Sequence, residues 1–131
     1  MNPSISGNFR QQALTIRDKR YDQAKNDVDF IKRYVFPGGS LPSVSRMTDA
    51  ISRKTDLVVR HLQDIGFDYA RTLRDWCDNF MHARDKVHQL GYDDNFVRLW
   101  HFYLCYCEGG FRERATSAVH LVLSKPENRS F

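Results

Sequence analysis

Polar and apolar positions along this 131-residue chain sort into a short series of elements. Ala13-Leu14-Thr15-Ile16 is a brief run with β-branched members that predicts a buried strand, ended at once by Arg17-Asp18-Lys19-Arg20. Within 29–35, Phe30, Ile31, Tyr34 and Val35 recur at spacings suited to a turn and a half of helix, and Phe36-Pro37-Gly38-Gly39 then stops any regular element. A helix restarts after Pro42, with Val44, Met47 and Ile51 on one face and Ser43 as its N-cap. Leu57, Val59 and His61 alternate with Val58, Arg60 and Leu62, the pattern of a strand with at least one buried face.

The clearest periodicity follows. Tyr69, Leu73, Trp76, Phe80, Ala83, Val87 and Leu90 recur at alternating steps of four and three, which predicts one long amphipathic helix capped by Asp68 and ended by Gly91. A second helix carries Asp93 and Asp94 at its positive end and Arg112 and Arg114 at its negative end. Its apolar stripe is Phe96, Leu99, Trp100, Tyr103, Leu104, Cys107 and Phe111. Val119, Leu121 and Leu123 alternate with His120 and Val122 in a closing strand that Pro126 terminates. This order predicts an α/β protein, a sheet layer with helices packed on it. Residues 1–8 read as a loose lead-in, 9–126 as one domain and 127–131 as a tail.

Composition narrows the function classes. Hydrophobic residues at 41% and aromatics at 13% describe a folded chain, and 20 Lys and Arg against 16 Asp and Glu give +4, spread along the sequence. A basic balance favours anionic partners such as phospholipid head groups, although a solvated mixed surface is the plain reading. Without a Lys/Arg block, zinc-finger spacing or an RNA-binding aromatic signature, nucleic acid is not an expected partner. Cys77, Cys105 and Cys107 suggest neither a disulfide framework nor a zinc knuckle, which fits a reducing cytoplasm. Neither a signal sequence nor a membrane span is visible. The glycine-rich turn that opens a nucleotide-binding strand-helix unit is also missing, since Gly38-Gly39 and Gly109-Gly110 do not follow strands.

Several side chains are candidates for chemistry. Cys107 lies on the apolar stripe, about 160° around the helix from Cys105, so the two are not expected to share a ligand. Glu108 borders the stripe beside two glycines that would let a ligand approach the backbone. Tyr69 begins the long helix on its buried face, where a packed tyrosine is the default. His101, Cys105 and Glu108 share a face, but with no second ligand group nearby and Arg112 opposing a cation, no metal is expected. The apolar flanks of the Phe-Pro-Gly-Gly loop mark a wall for a greasy pocket or part of the core.

The segment from Asp29 to Ser43, DFIKRYVFPGGSLPS, resembles the hallmark segment of the cyclopropane-fatty-acyl-phospholipid synthases and the related mycolic-acid and fatty-acid methyltransferases. Tyr69-Ala70-Arg71-Thr72-Leu73 with Trp76, then Arg98-Leu99-Trp100 and Tyr103 through Arg112, resemble the family's next two blocks. The resemblance covers residues 9–126 and corresponds to the last third or so of a typical member. It implies the C-terminal part of a doubly wound, Rossmann-like class I methyltransferase, with about three strands and long covering helices. The implied activity is methyl or methylene transfer from S-adenosylmethionine to the cis double bond of a phospholipid acyl chain, through a carbocation that loses a proton.

By the same resemblance, Cys107 matches the active-site cysteine, and Phe36, Leu73 and Tyr103 match residues lining the acyl pocket, with Glu108 beside them as a further substrate contact. Tyr69, also a catalytic candidate, and the backbone of Ile16 match the site of a bound bicarbonate base. Leu14 stands where that site has a histidine, and its glutamate belongs to the part not represented. No residue here matches the cofactor site, so the isolated chain is expected to be inactive and to need a separate cofactor-binding half. Unsaturated phospholipid acyl chains at the membrane surface are the implied partners, and the implied location is cytoplasmic, peripheral to the inner face of the membrane. The competing readings are a non-catalytic lipid-binding module and a subunit of a split methyltransferase.

Overall fold

The structure is a computed structural model and describes residues 8–129. The predicted lead-in over 1–8, apart from Asn8, and the last two residues of the tail lie outside the described residues. Three strands, β1 (Phe9–Ile16), β2 (Val58–Asp64) and β3 (Thr116–Ser124), form one sheet in the order β1-β3-β2. β3 is antiparallel to both neighbours, pairing Phe9 with Leu123 through Ile16 with Thr116 on one side and Val58 with Ser124 through Asp64 with Val119 on the other.

The central place goes to the most apolar strand. Ala118, Val119, Leu121 and Leu123 are all buried, and the period of two directs Ala118 to one face and the other three to the opposite face. The outer strands correct their sequence readings. β1 starts four residues before the predicted Ala13 and buries only Thr15, and β2 buries none of its residues. The helices explain this, because α4 (Gly66–His82) and α6 (Asp94–Arg112) contact the middle strand and leave both flanks half-covered. A register shift between Val59 and His61 lets Arg60 out of the ladder, and its Nε donates to the buried Ser124 Oγ at 2.8 Å.

Local chemistry sets the helix ends. Asp29 caps α2 (Phe30–Tyr34) by accepting from Lys32 N–H at 2.9 Å, and the predicted Ser43 cap of α3 (Val44–Lys54) accepts from Arg46 N–H at 3.2 Å. A 3₁₀ turn (Asp18–Arg20) and α1 (Tyr21–Ala24) occupy a stretch whose charge gave no periodic signal. Asp68 is not the cap of α4. Asp64 Oδ1 turns the chain out of β2, accepting from Gly66 N–H at 2.8 Å and from the Ser117 hydroxyl at 2.7 Å, so the helix begins earlier. The Ser117 bond is the main reason the Asp64 carboxyl sits below its ordinary pKa.

The predicted long helix is two. α4 ends at His82 and α5 (Arg84–Gln89) follows a break at Ala83, whose φ of −91° and ψ of 11° leave the helical region. No glycine or proline marks the break, so periodicity runs straight through it. Within α4 the buried face is Gly66, Ala70, Leu73 and Cys77, rotated by about one residue from the predicted stripe, which leaves Trp76 exposed. Gly91, at φ +99°, takes the left-handed position expected of it, and Asp93 caps α6 through Phe96 N–H.

α6 buries Val97, Leu104, Glu108 and Phe111 against α4 and the sheet. The rest of its predicted stripe, Phe96, Leu99, Trp100, Tyr103 and Cys107, is half-buried, because the helix serves two surfaces: one packs the core and the other borders a cavity.

Candidate functional site

A cavity of about 840 Å³ lies between α6, the end of β1, and α2 with the segment that follows it. Leu14 and Ile16 approach from β1, Ile31, Phe36 and Leu41 from the facing segment, and Tyr103, Cys107 and Phe111 from α6. Gly109 and Gly110 leave the helix bare on this side, and a Cβ on Gly110 would stand 3.0 Å from Thr116 Oγ1. Gly38, at φ +77°, makes the turn that brings Phe36 back over α6, with its ring edge-on to Tyr103 at 6.3 Å. Arg20, Lys32 and Glu113 are the charged residues of the lining.

The wall is fastened to α6 by a hydroxyl and by rings. Tyr106 donates to Asp29 Oδ2 at 3.2 Å, and Phe30 meets Phe102 in an edge contact at 4.6 Å. Inside, burial pushes the Cys107 thiol up to about 11 and the Tyr103 phenol, its hydrogen-bonding neighbour, up to about 12. Both groups are therefore neutral near physiological pH, and the interior carries no charge from either.

A smaller cavity of about 290 Å³ adjoins the first, sharing Ile16, Phe111 and Thr116 with it. Arg17, Asp18, Asp64 and Arg114 are its charged residues. Arg114 is held at φ +55°, its guanidinium over the Phe67 ring at 4.2 Å, while Arg17 Nε donates to its carbonyl at 2.6 Å. Sequence reasoning missed this site, whose charged residues come from the separate segments 17–18, 64 and 114.

Of the residues singled out by sequence, Phe36, Tyr103, Cys107 and Ile16 come together around the large cavity. The Ile16 N–H is engaged by the Pro42 carbonyl at 2.9 Å. The other three are not in its lining. Leu73 is buried in the core with Ala70, Cys77 and Leu104, and Tyr69 is half-buried with its ring 4.9 Å from that of Phe111. Glu108 is buried and binds Arg112 Nε and, at 3.7 Å, Arg74 Nη1.

One expectation about the cysteines is corrected. Cys105 and Cys107 leave α6 in different directions, and both border the large cavity. The expected absence of a further ligand near His101 and Cys105 fails, because α4 delivers Cys77, with its Sγ 3.9 Å from that of Cys105. A partner 28 residues away in sequence is invisible to spacing arguments along one helix.

Burial sets an order of thiol reactivity. Near neutral pH, exposed Cys105 is expected to alkylate first, while Cys77 and Cys107, both pushed up to about 11 chiefly by burial, react slowly until the pH rises toward that value. Peptide mass spectrometry after timed labelling reads the order, and equal labelling at Cys105 and Cys107 would show that the cavity wall is wet.

Similarity to known proteins agrees with this geometry. The mycolic acid cyclopropane synthetase family matches residues 4–121. Tuberculostearic acid methyltransferase UfaA1 of Mycobacterium tuberculosis is 39% identical over 101 residues, which cover 77% of this chain and 24% of that protein. The cyclopropane-fatty-acyl-phospholipid synthase of Escherichia coli is 33% identical over 111 residues, covering 85% of this chain and 28% of the enzyme. The chain thus spans about a quarter of the length of these curated relatives. The solved structure of mycolic acid cyclopropane synthase CmaA1 complexed with SAH and CTAB superposes with a TM-score of 0.77 at 20% identity, over 91% of this chain and 44% of that one. The strands and covering helices described above are accordingly part of a class I methyltransferase fold. With the family match running from residue 4 to residue 121, the chain belongs to the mycolic acid cyclopropane synthetase family.

Proposed function

We propose that this chain supplies the acyl-binding part of an S-adenosylmethionine-dependent methyltransferase that modifies the cis double bond of phospholipid acyl chains. The observation that carries the reading is the large cavity, about 840 Å³, walled by Phe36, Ile31, Leu41, Tyr103, Cys107 and Phe111. Its size and apolar lining suit a hydrocarbon chain. Arg20 offers a cation to a head-group phosphate, and Lys32, whose Nζ donates to the Ala24 and Asp27 carbonyls, adds positive charge beside it, which would place the protein at the cytoplasmic face of a membrane. Among the described residues, no helix is long and apolar enough to cross a membrane.

The chemistry asks two things of these side chains. A cation formed on an alkene survives only where water and strong nucleophiles are excluded, and a neutral Cys107 thiol beside a neutral Tyr103 phenol meets the second of these conditions. The faces of Phe36, Tyr103 and Phe111 can stabilise positive charge as it develops. S-Adenosylmethionine supplies an electrophilic methyl group, and we assign its binding to residues outside this chain, which has no glycine-rich turn after a strand. Bicarbonate does not fit the residues present, since the Ile16 amide is engaged with Pro42, Leu14 offers no donor and Tyr69 stands outside the cavity lining. No step is assigned to it.

The test is transfer of label from S-adenosylmethionine to unsaturated phospholipid vesicles, with the chain alone and mixed with the cofactor-binding half of a related enzyme. Label in the acyl chains with the mixture alone is the expected result. Activity of the chain by itself would overturn the assignment of the donor site, and silence in both, with retention on vesicles, would replace the enzyme reading by a lipid-binding module.

A further inference from the structure

We propose that Cys77, His101 and Cys105 form a three-ligand site for a thiophilic divalent cation, zinc by preference, where α4 meets α6. The Sγ atoms of Cys77 and Cys105 are 3.9 Å apart, Cys105 Sγ is 3.7 Å from His101 Nε2, and all three ligand atoms lie within 4.8 Å of one another. Tetrahedral zinc, with bonds of about 2.3 Å to sulfur and about 2.0 Å to nitrogen, holds two sulfurs about 3.8 Å apart and sulfur and nitrogen about 3.5 Å apart. The two pairs that include Cys105 differ from these by a few tenths of an ångström at most, and the Cys77–His101 pair, within 4.8 Å, has to close by about 1.3 Å or less, which rotation of the exposed His101 side chain can supply.

Position and charge favour the same reading. His101 and Cys105 are one helical turn apart on α6, and Cys77 comes from the buried face of α4, so the ligands rest on two packed helices. Two thiolates would balance the charge of a dication, and an S₂N set suits zinc in softness. Arg112, on the same helix, is engaged by Glu108, which also binds Arg74 and so reduces repulsion of an incoming cation. Cys105 and His101 are exposed, which gives the ion an entry path and leaves its fourth position open toward solvent at the rim of the large cavity. A disulfide would engage two of these residues and give His101 no part.

The experiment is a titration of the reduced, metal-free chain with cobalt(II), followed by displacement with zinc. One cobalt per chain, with a thiolate-to-metal charge-transfer band that zinc abolishes, is the expected result. Because His101 and Cys105 are exposed, His101→Ala and Cys105→Ser should leave the circular dichroism unchanged. Each should weaken binding by about a hundredfold or more, since loss of a mere outer-shell partner costs about 10- to 100-fold. Cys107→Ser should bind as the parent does. Absence of the band, loss of binding in Cys107→Ser but not in the other two variants, or an intact mass two hydrogens lighter from a Cys77–Cys105 disulfide would each overturn the assignment.

Discussion

Replacing Phe111 by alanine is expected to lower stability by about 3–5 kcal/mol, the range for removing a large aromatic side chain from a packed interior. Phe111 is 5% exposed, belongs to the core cluster of Ala70, Leu73, Leu104 and Ala118, and packs its ring against Tyr69. It also borders both cavities, so deleting the ring removes core contacts and opens a passage between the two spaces. Surrounding side chains collapse poorly into a space that is already partly empty, which places the loss toward the upper end of the range. Urea unfolding with an unchanged m-value would measure it, and a loss below about 1 kcal/mol would show that this ring contributes little to the core.

The second large effect is expected at Gly66. An alanine Cβ there would stand 2.5 Å from Ser117 Oγ and 3.1 Å from Asp64 Oδ1, the two atoms whose hydrogen bond closes the exit from β2. Overpacking of this kind costs about 1–3 kcal/mol, and weakening the bond adds about 1 kcal/mol. The better helix propensity of alanine returns about 1 kcal/mol, which leaves a net loss of about 2 kcal/mol. The Ser117→Ala background provides the control. With the hydroxyl gone, the nearest Ser117 atom is its Cβ at 3.5 Å, an ordinary contact, so Gly66→Ala should cost markedly less there. Equal costs in both backgrounds would locate the strain elsewhere.

What the sequence made legible was set by short-range chemistry. The Asp29 and Ser43 segments, the Gly91 stop and the apolar alternation of β3 each depend on a few neighbouring residues, and each appears in the structure. The break at Ala83 and the early start at Gly66 depend on what the chain meets in space, and the second needs Ser117 from a different strand. The site divides in the same way. Periodicity showed that α6 has a wide apolar face, but not that Leu104 lies in the core, that Tyr103 and Cys107 border open space and that Phe111 does both. The family resemblance assigned Phe36, Leu73 and Tyr103 to the wall of a pocket and Cys107 to the active site, and the structure gathers Phe36, Tyr103 and Cys107 around one cavity. It keeps Tyr69, Leu73 and Glu108 outside that lining, although they belong to the same motif blocks.

The wall formed by α2 and the Phe36 turn is held to α6 differently from the way α4 is held. Its fastenings are the Tyr106–Asp29 hydrogen bond and the ring edges of Phe30 and Phe36, with the Ile16–Pro42 backbone bond as an anchor at its far end. Ring contacts and an exposed hydroxyl bond contribute about 1 kcal/mol each, so parting them is far cheaper than parting two helices across a buried core. The cavity therefore has one stiff side and one more weakly held side, joined to β1 where Ile16 N–H meets the Pro42 carbonyl. A guest thicker or more bent than the resting space would be admitted by strain in the wall, so discrimination between guests would be graded and would weaken with rising temperature.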